Sequence, residues 1–177
     1  MNGIADASSL IVLARQDALW LLWRVYATVV IVPGVEVETV VQGKAKGYGD
    51  ALRIEAAIRG GHFVITPPTR DEQLLATSLE RATAALSRTD CLTLACAKER
   101  SLTLIMEEQR ARNVAAANGI EYVTIQVLPL HGFIQKQLSF TECDDLLVRI
   151  GRAMRTDQAV LKVLGAAASE IQRLRSP

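Results

Sequence analysis

Two kinds of apolar pattern alternate along the 177-residue chain. Short β-branched runs without polar alternation read as strands buried on both faces, and apolar positions three and four apart read as helices. Gly3-Ile4-Ala5 is a short strand candidate with Asp6 at its end. Ser8 or Ser9 caps the helix that follows, with Leu10, Leu13 and Ala14 inside it. Asp17 opens a second helix over 18–26, with Leu19, Leu22 and Trp23 on one face. The unbroken run 28–32 predicts a second strand. Pro33 then suits the first position of a helix that runs to Gln42 and ends at Gly43. A helix over 47–59, stopped by Gly60-Gly61, and a strand over 62–66, ended by Pro67-Pro68, come next. Residues 70–86 read as one or two helices, and Ser87 opens another. A fourth strand over 103–106, a helix over 107–118 with Gly119 as its C-cap, and a fifth strand over 122–125 complete the alternation. Two or three more helices begin near Leu128, Thr141 and Asp157.

Alternating strands and helices predict an α/β fold with a parallel sheet, right-handed crossovers and helices on both faces. Ligands of such sheets bind beyond the carboxyl ends of the strands, which is where the chemistry is to be sought. The length suits one domain. We place it at residues 1–155. Residues 156–177 form a C-terminal helical extension, with Val160, Leu164, Ala168, Ile171 and Leu174 in a stripe that packs on the domain or at an interface.

Composition narrows the classes. With 50% hydrophobic and 22% charged residues the chain is not a disordered tail, and three Cys exclude a disulfide scaffold. Only 5% of residues are aromatic, so the core is aliphatic. Twenty Lys and Arg against 19 Asp and Glu leave a net charge of +1, so any nucleic-acid affinity needs a local basic patch. The most apolar stretch, 10–41, is interrupted by Arg15, Asp17 and Arg24, and no basic residue precedes Asp6. Neither a membrane span nor a secretory leader is expected, and the cytoplasm is the default location.

Carboxylates fall at or just after strand ends and helix starts in four places: Asp6, Glu36/Glu38, Asp90 and Glu107/Glu108. Each has a structural account. Asp6 can cap a helix, Glu36 sits where the helix dipole welcomes an acid, and Asp90 completes a Ser87-x-x-Asp90 capping box. Glu107 and Glu108 begin a helix. Glu38 fits worst, because it shares a helix face with Val35 and Val41. Gathered at one end of one sheet, the four acids would repel one another unless a cation or retained protons neutralised them. Mg²⁺ suits such an all-oxygen site, and metal-assisted phosphodiester hydrolysis is the chemistry the set would support.

Several segments together resemble a known family. Asp6-Ala7-Ser8-Ser9-Leu10 before a short helix resembles the opening of PIN domains. Ile31-Val32-Pro33-Gly34-Val35-Glu36-Val37-Glu38 resembles their second strand and following helix, with Glu38 at the position of an active-site Glu. Leu86-Ser87-Arg88-Thr89-Asp90 before an Ala-rich helix, and Leu104-Ile105-Met106-Glu107-Glu108-Gln109-Arg110-Ala111-Arg112, resemble two further family segments. The resemblance implies a three-layer α/β/α sandwich around a central, mostly parallel sheet of about five strands. It implies a Mg²⁺- or Mn²⁺-dependent ribonuclease acting on RNA. It also implies a toxin of a type II toxin–antitoxin pair of the VapBC kind, often a homodimer held inactive by a small antitoxin protein.

Roles follow from that resemblance. Asp6 and Asp90 are the candidate direct metal ligands, with Glu107 completing the site and Glu108 the second choice. Glu38 would orient or deprotonate the attacking water or bind the metal through water. Ser8, Arg110 and Arg112 are candidate contacts to substrate phosphate, against the alternatives of a helix cap for Ser8 and a solvated face for the arginines. The related subgroup carries Asp-Asp where this chain has Glu107-Glu108. One added methylene at a metal that demands near-octahedral geometry weakens the site, shifts it toward Mn²⁺ or abolishes it. A PIN-like module that binds RNA or a protein partner without cleavage is therefore the alternative.

Other residues carry less. Lys44, Lys46, Arg53 and Arg59 form a basic stretch, either an RNA contact or scattered surface charge. His62 and His131 match no triad or zinc spacing, Cys91 and Cys96 read as core thiols, and Trp20 and Trp23 as core or interface.

Overall fold

A computed structural model describes residues 1–83 and 85–175. Five strands, β1 (Asn2–Ala5), β2 (Thr28–Ile31), β3 (Val64–Ile65), β4 (Thr103–Ile105) and β5 (Tyr122–Val123), form one sheet. Its order is β3-β2-β1-β4-β5, and every pairing is parallel. Ile4 registers with Val30 on one side and Leu104 on the other. This is the expected α/β sandwich, and β4 is buried along its whole length, as a strand without alternation should be.

Helices surround the sheet. They are α1 (Ala7–Arg15), α2 (Trp20–Val25), α3 (Pro33–Glu36), a π-helical turn (Val37–Val41), α4 (Gln42–Ala45) and α5 (Gly49–Arg59). After them come α6 (Arg70–Ala82), α7 (Arg88–Glu99), α8 (Gln109–Ala117), α9 (Leu128–Ile134), α10 (Phe140–Ala153) and α11 (Gln158–Arg175). Pro33 opens α3, where its missing N–H costs nothing. Ser87 and Asp90 form the predicted capping box on α7. The core is mainly aliphatic, with Ile4, Leu10, Leu13, Ile31, Leu94, Leu104 and Ile105 inaccessible to water. All three cysteines are buried free thiols, and burial pushes Cys91 and Cys143 up to about 11 and Cys96 to about 12. No helix among the described residues is long and apolar enough to cross a membrane.

Several local expectations change. Asp17 does not start a helix. It adopts φ 51 in the turn between α1 and α2, and its carbonyl accepts from Trp20 Nε1 at 3.1 Å. Asp6, not Ser8 or Ser9, caps α1. Gly43 does not end the helix after Pro33, which continues to Ala45. Gly43 is buried against α5, where a Cβ would come 2.8 Å from the Ala51 Cβ, so the position needs glycine for close approach rather than as a stop. The π turn adds a residue to the helix and changes its phase. Val41 is 59% exposed while Thr39 and Val40 are buried, so Glu38 does not share an apolar face with Val41. Glu107 does not begin a helix either, because α8 starts at Gln109 with Glu108 as its N-cap.

The C-terminal stripe is used in part. Leu164 and Ala168 are buried against the domain, and Val160 and Leu174 are 44% and 71% exposed. Arg175 donates to the carbonyls of Phe133 and Ile134 at 2.7 Å each and lies over the Phe133 ring at 4.9 Å.

Candidate active site

The chain builds outward from β1 through β2 to β3, then returns to the other side of β1 for β4 and β5. The connections therefore diverge between β1 and β4. A crevice opens at such a switch point, outside the carboxyl ends of the two strands. Asp6 follows β1 and Glu107 follows Met106 just beyond β4, so both stand at that crevice.

Asp6 holds the two strand ends together. Its N–H donates to the Ile105 carbonyl at 3.1 Å. Its Oδ1 accepts from Ser9 N at 2.7 Å, and its Oδ2 accepts from Glu107 N at 3.3 Å. The residue is only 2% exposed. Burial penalises its ionised form and raises its pKa from 3.8 to about 6, against the hydrogen bonds from Ser9 and Glu107 that pull it down. The Asp90 carboxylate adds to the rise through its negative charge, which puts Asp90 near enough to act on Asp6 electrostatically.

Asp90 reaches this point from the first turn of α7. Its Oδ2 accepts from Ser87 N at 3.3 Å and from the Ser87 hydroxyl at 2.7 Å. The first turn of α3 lies against the same place, where a Cβ on Gly34 would be 2.7 Å from Thr89 Oγ1. Glu38, half-buried, follows on the π turn and makes no hydrogen bond or ion pair among the described residues. Glu107 is half-buried, and its Oε1 accepts from Ile125 N at 2.6 Å. Burial raises its pKa, while the bond from Ile125 and the charge of Arg112 lower it. Glu108 is exposed, and its side chain accepts from Arg110 N at 3.4 Å.

The structure thus sets the Glu107 backbone against Asp6 and puts Asp90 within electrostatic reach of Asp6, and it shows no hydrogen bond or ion pair of Glu38 or Glu108 with any of them among the described residues. Among the described residues no group of three or more His, Cys, Asp or Glu is drawn together closely enough to hold a metal ion. The buried Asp6, within electrostatic reach of Asp90, has the oxygen donors a hard cation takes, because Mg²⁺ needs only one or two carboxylates directly and keeps several waters. Of the phosphate candidates, Ser8 and Arg110 are exposed. Arg112 instead donates to the Glu107 carbonyl and to Gln109 Oε1, bracing the acid's backbone.

Most of the basic stretch is already partnered. Lys44 and Arg59 both pair with Glu55, at 3.0 and 2.9 Å, and Arg53 donates to the Ala14 carbonyl at 3.1 Å. His62 stacks on Trp23 with 4.0 Å between ring centroids, away from the acids.

One residue escaped the sequence reading. Ser9, not Ser8, is the serine inside the site, fully buried with its N–H on Asp6. Helical phase carried that signal, since Ser9 lies four residues before the core residue Leu13 and Ser8 does not.

A parallel sheet with acids at its switch point is the arrangement of an α/β protein that works at its strand ends. The profile of a family described as PIN domain matches residues 3–142, and the chain belongs to that family. PIN domains are generally nucleases. A comparison with curated proteins finds no match.

Proposed function

We propose that this chain is a divalent-metal-dependent endoribonuclease that hydrolyses RNA phosphodiester bonds. The observation that carries the reading is Asp6, an acid 2% exposed at the switch point, raised in pKa, within electrostatic reach of Asp90 and paired with no Lys or Arg among the described residues. Asp6 and Asp90 would hold Mg²⁺ or Mn²⁺, with Glu107 and then Glu108 as further candidates through water. Bound there, the ion supplies positive charge against a phosphoryl oxygen and makes water a better nucleophile. Glu38 would orient the attacking water and accept its proton, and Ser8 and Arg110 would meet the phosphate. Arg112 holds the Glu107 backbone and serves that acid first. The same reading makes the protein a cytoplasmic toxin of a type II pair, a homodimer restrained by a small antitoxin.

The test is cleavage of a mixed RNA panel with Mg²⁺ or Mn²⁺ by the wild type and by Asp6→Asn, with chelator controls. Metal-dependent cleavage that the substitution abolishes supports the nuclease. A second reading has its own support: no three acids converge among the described residues, and glutamates occupy 107 and 108. Folded, antitoxin-free protein that cleaves with neither ion, yet retains RNA, would establish a binding module with an impaired centre.

A further inference from the structure

Ser9 is an unexpected residue to find inside the first turn of α1. It has no solvent exposure, and burying a hydroxyl is unfavourable unless the hydroxyl is used. Its Oγ has no acceptor at hydrogen-bonding geometry and no contact with solvent. Alanine would fill the position without that penalty. The carboxyl it adjoins is Asp6, whose Oδ1 already accepts the Ser9 N–H at 2.7 Å. The second oxygen of Asp6 is held by Glu107 N. Two backbone donors thus fix where the carboxyl sits, and a third, rotatable donor stands beside it without a fixed partner.

We propose that Ser9 is a positioning residue for Asp6: its hydroxyl turns to donate to the ionised carboxylate and holds it oriented toward a bound divalent cation. The inference rests on the reading of Asp6 as a metal ligand. Groups that hydrogen-bond a metal-ligating carboxylate typically contribute 10–100-fold to metal affinity. The hydroxyl differs in kind from the two amides, because it can rotate about its own side-chain bond while they are fixed by the backbone.

The experiment is calorimetric titration of the full-length protein with Mn²⁺ alone, without RNA, for the wild type, Ser9→Ala, Ser9→Thr and Asp6→Asn. Thermal unfolding of each metal-free variant accompanies it. We expect Ser9→Ala to bind Mn²⁺ roughly 10-fold or more weakly, with a metal-free midpoint equal to or above the wild type's. Ser9→Thr, which keeps the hydroxyl, should restore most of the affinity. Wild-type affinity in Ser9→Ala, together with loss of binding in Asp6→Asn, overturns the role of Ser9 and leaves Asp6 as a ligand. A lowered metal-free midpoint with unchanged affinity also overturns it, because the hydroxyl then serves the fold alone. Absence of Mn²⁺ binding by the wild type removes both the inference and the metal reading beneath it.

Discussion

Asp6 and Glu72 are buried to the same degree, each 2% exposed, yet their proton affinities move in opposite directions. Glu72 lies in the first turn of α6, and the Arg100 guanidinium meets it with Nε to Oε1 at 2.5 Å and Nη2 to Oε2 at 2.7 Å. Its Oε2 also accepts from Thr69 N at 2.6 Å. Those partners, Arg100 foremost, outweigh desolvation and carry its pKa from 4.5 to about 2. Asp6 has two backbone N–H donors, a neighbouring acid and no arginine or lysine bonded to it, and its pKa rises to about 6. Desolvation opposes both ionised forms; it prevails at Asp6, and at Glu72 the Arg100 guanidinium outweighs it. At Glu72 the chain supplies the matching cation itself. At Asp6 it leaves the charge unmatched, at the crevice where an α/β sheet admits a ligand. The first carboxylate fastens α6 to the end of α7, and the second is the one the proposed function assigns to a cation from outside.

The comparison breaks most visibly at Arg100. Arg100→Met leaves Glu72 buried and unpaired, a loss of about 3–5 kcal/mol at pH 7 by urea unfolding. The sign with pH follows from the lowered pKa. The wild-type pair contributes fully above the ordinary value of 4.5, and its contribution fades as pH falls toward about 2. The deficit of Arg100→Met should therefore shrink on acidification. A loss under about 1 kcal/mol would show that the pair is an ordinary surface ion pair.

A metal would make the two carboxyls alike. Saturating the wild type with Mn²⁺ at about 100 times its dissociation constant should raise stability by about 2.7 kcal/mol, as binding to the folded form alone requires. Chelator should reverse the gain, and Asp6→Asn should not show it. An equal gain in Asp6→Asn would move the cation elsewhere.

Removing the charge at Asp6 should have the opposite effect to breaking the Glu72 pair. The folded pKa of Asp6 lies above its ordinary 3.8, so ionisation opposes folding. The penalty is absent below about pH 4, grows as pH rises and is complete above about 6. The shift corresponds to about 3 kcal/mol, and the amide of an asparagine facing Glu107 N offsets about 1 of that. Metal-free Asp6→Asn should thus be about 2 kcal/mol more stable than the wild type at pH 8. The advantage should be lost by pH 4. Constant stability difference between those pH values would refute the raised pKa.

Much of this could be read along the chain, for reasons that differ from element to element. Strands β1, β2 and β4 are visible as β-branched or apolar runs because both faces are buried. Pro33 and the Ser87–Asp90 box mark helix starts through local bonding that needs no tertiary context. Gly3 looks out of place in a strand until the fold is seen: a Cβ there would lie 2.8 Å from Ile105 Cδ1 and 3.1 Å from the Tyr26 ring. The π turn was hidden because an added residue shows only as a change of phase, here the outward turn of Val41. The acids Asp6, Glu38, Asp90 and Glu107 were legible as candidates because each follows a strand end or opens a helix. The buried ion pair of Glu72 and Arg100, 28 residues apart, left no local trace.

The finest distinction is between Glu107 and Glu108, adjacent acids of which the family resemblance makes Glu107 the first choice and Glu108 the second. Ile125, 18 residues away, makes the choice by donating its N–H to Glu107 Oε1 at 2.6 Å. Glu108 turns outward and caps α8 through a long 3.4 Å contact. Glu107→Gln keeps a carbonyl oxygen for Ile125 and removes a charge that burial opposes, so metal-free stability should stay within about 1 kcal/mol of the wild type. Glu108→Ala loses only a weak cap and should cost about 0.5 kcal/mol. Stability therefore cannot separate the two, and RNA cleavage can. Glu107→Gln should depress the metal-dependent rate, because its carboxylate lies beside the amide that anchors Asp6, whereas Glu108→Ala should cleave at close to the wild-type rate. A larger loss in Glu108→Ala would mean that the exposed acid swings in when the cation binds, and that the proposed site at Asp6 is completed from the surface rather than from the strand end.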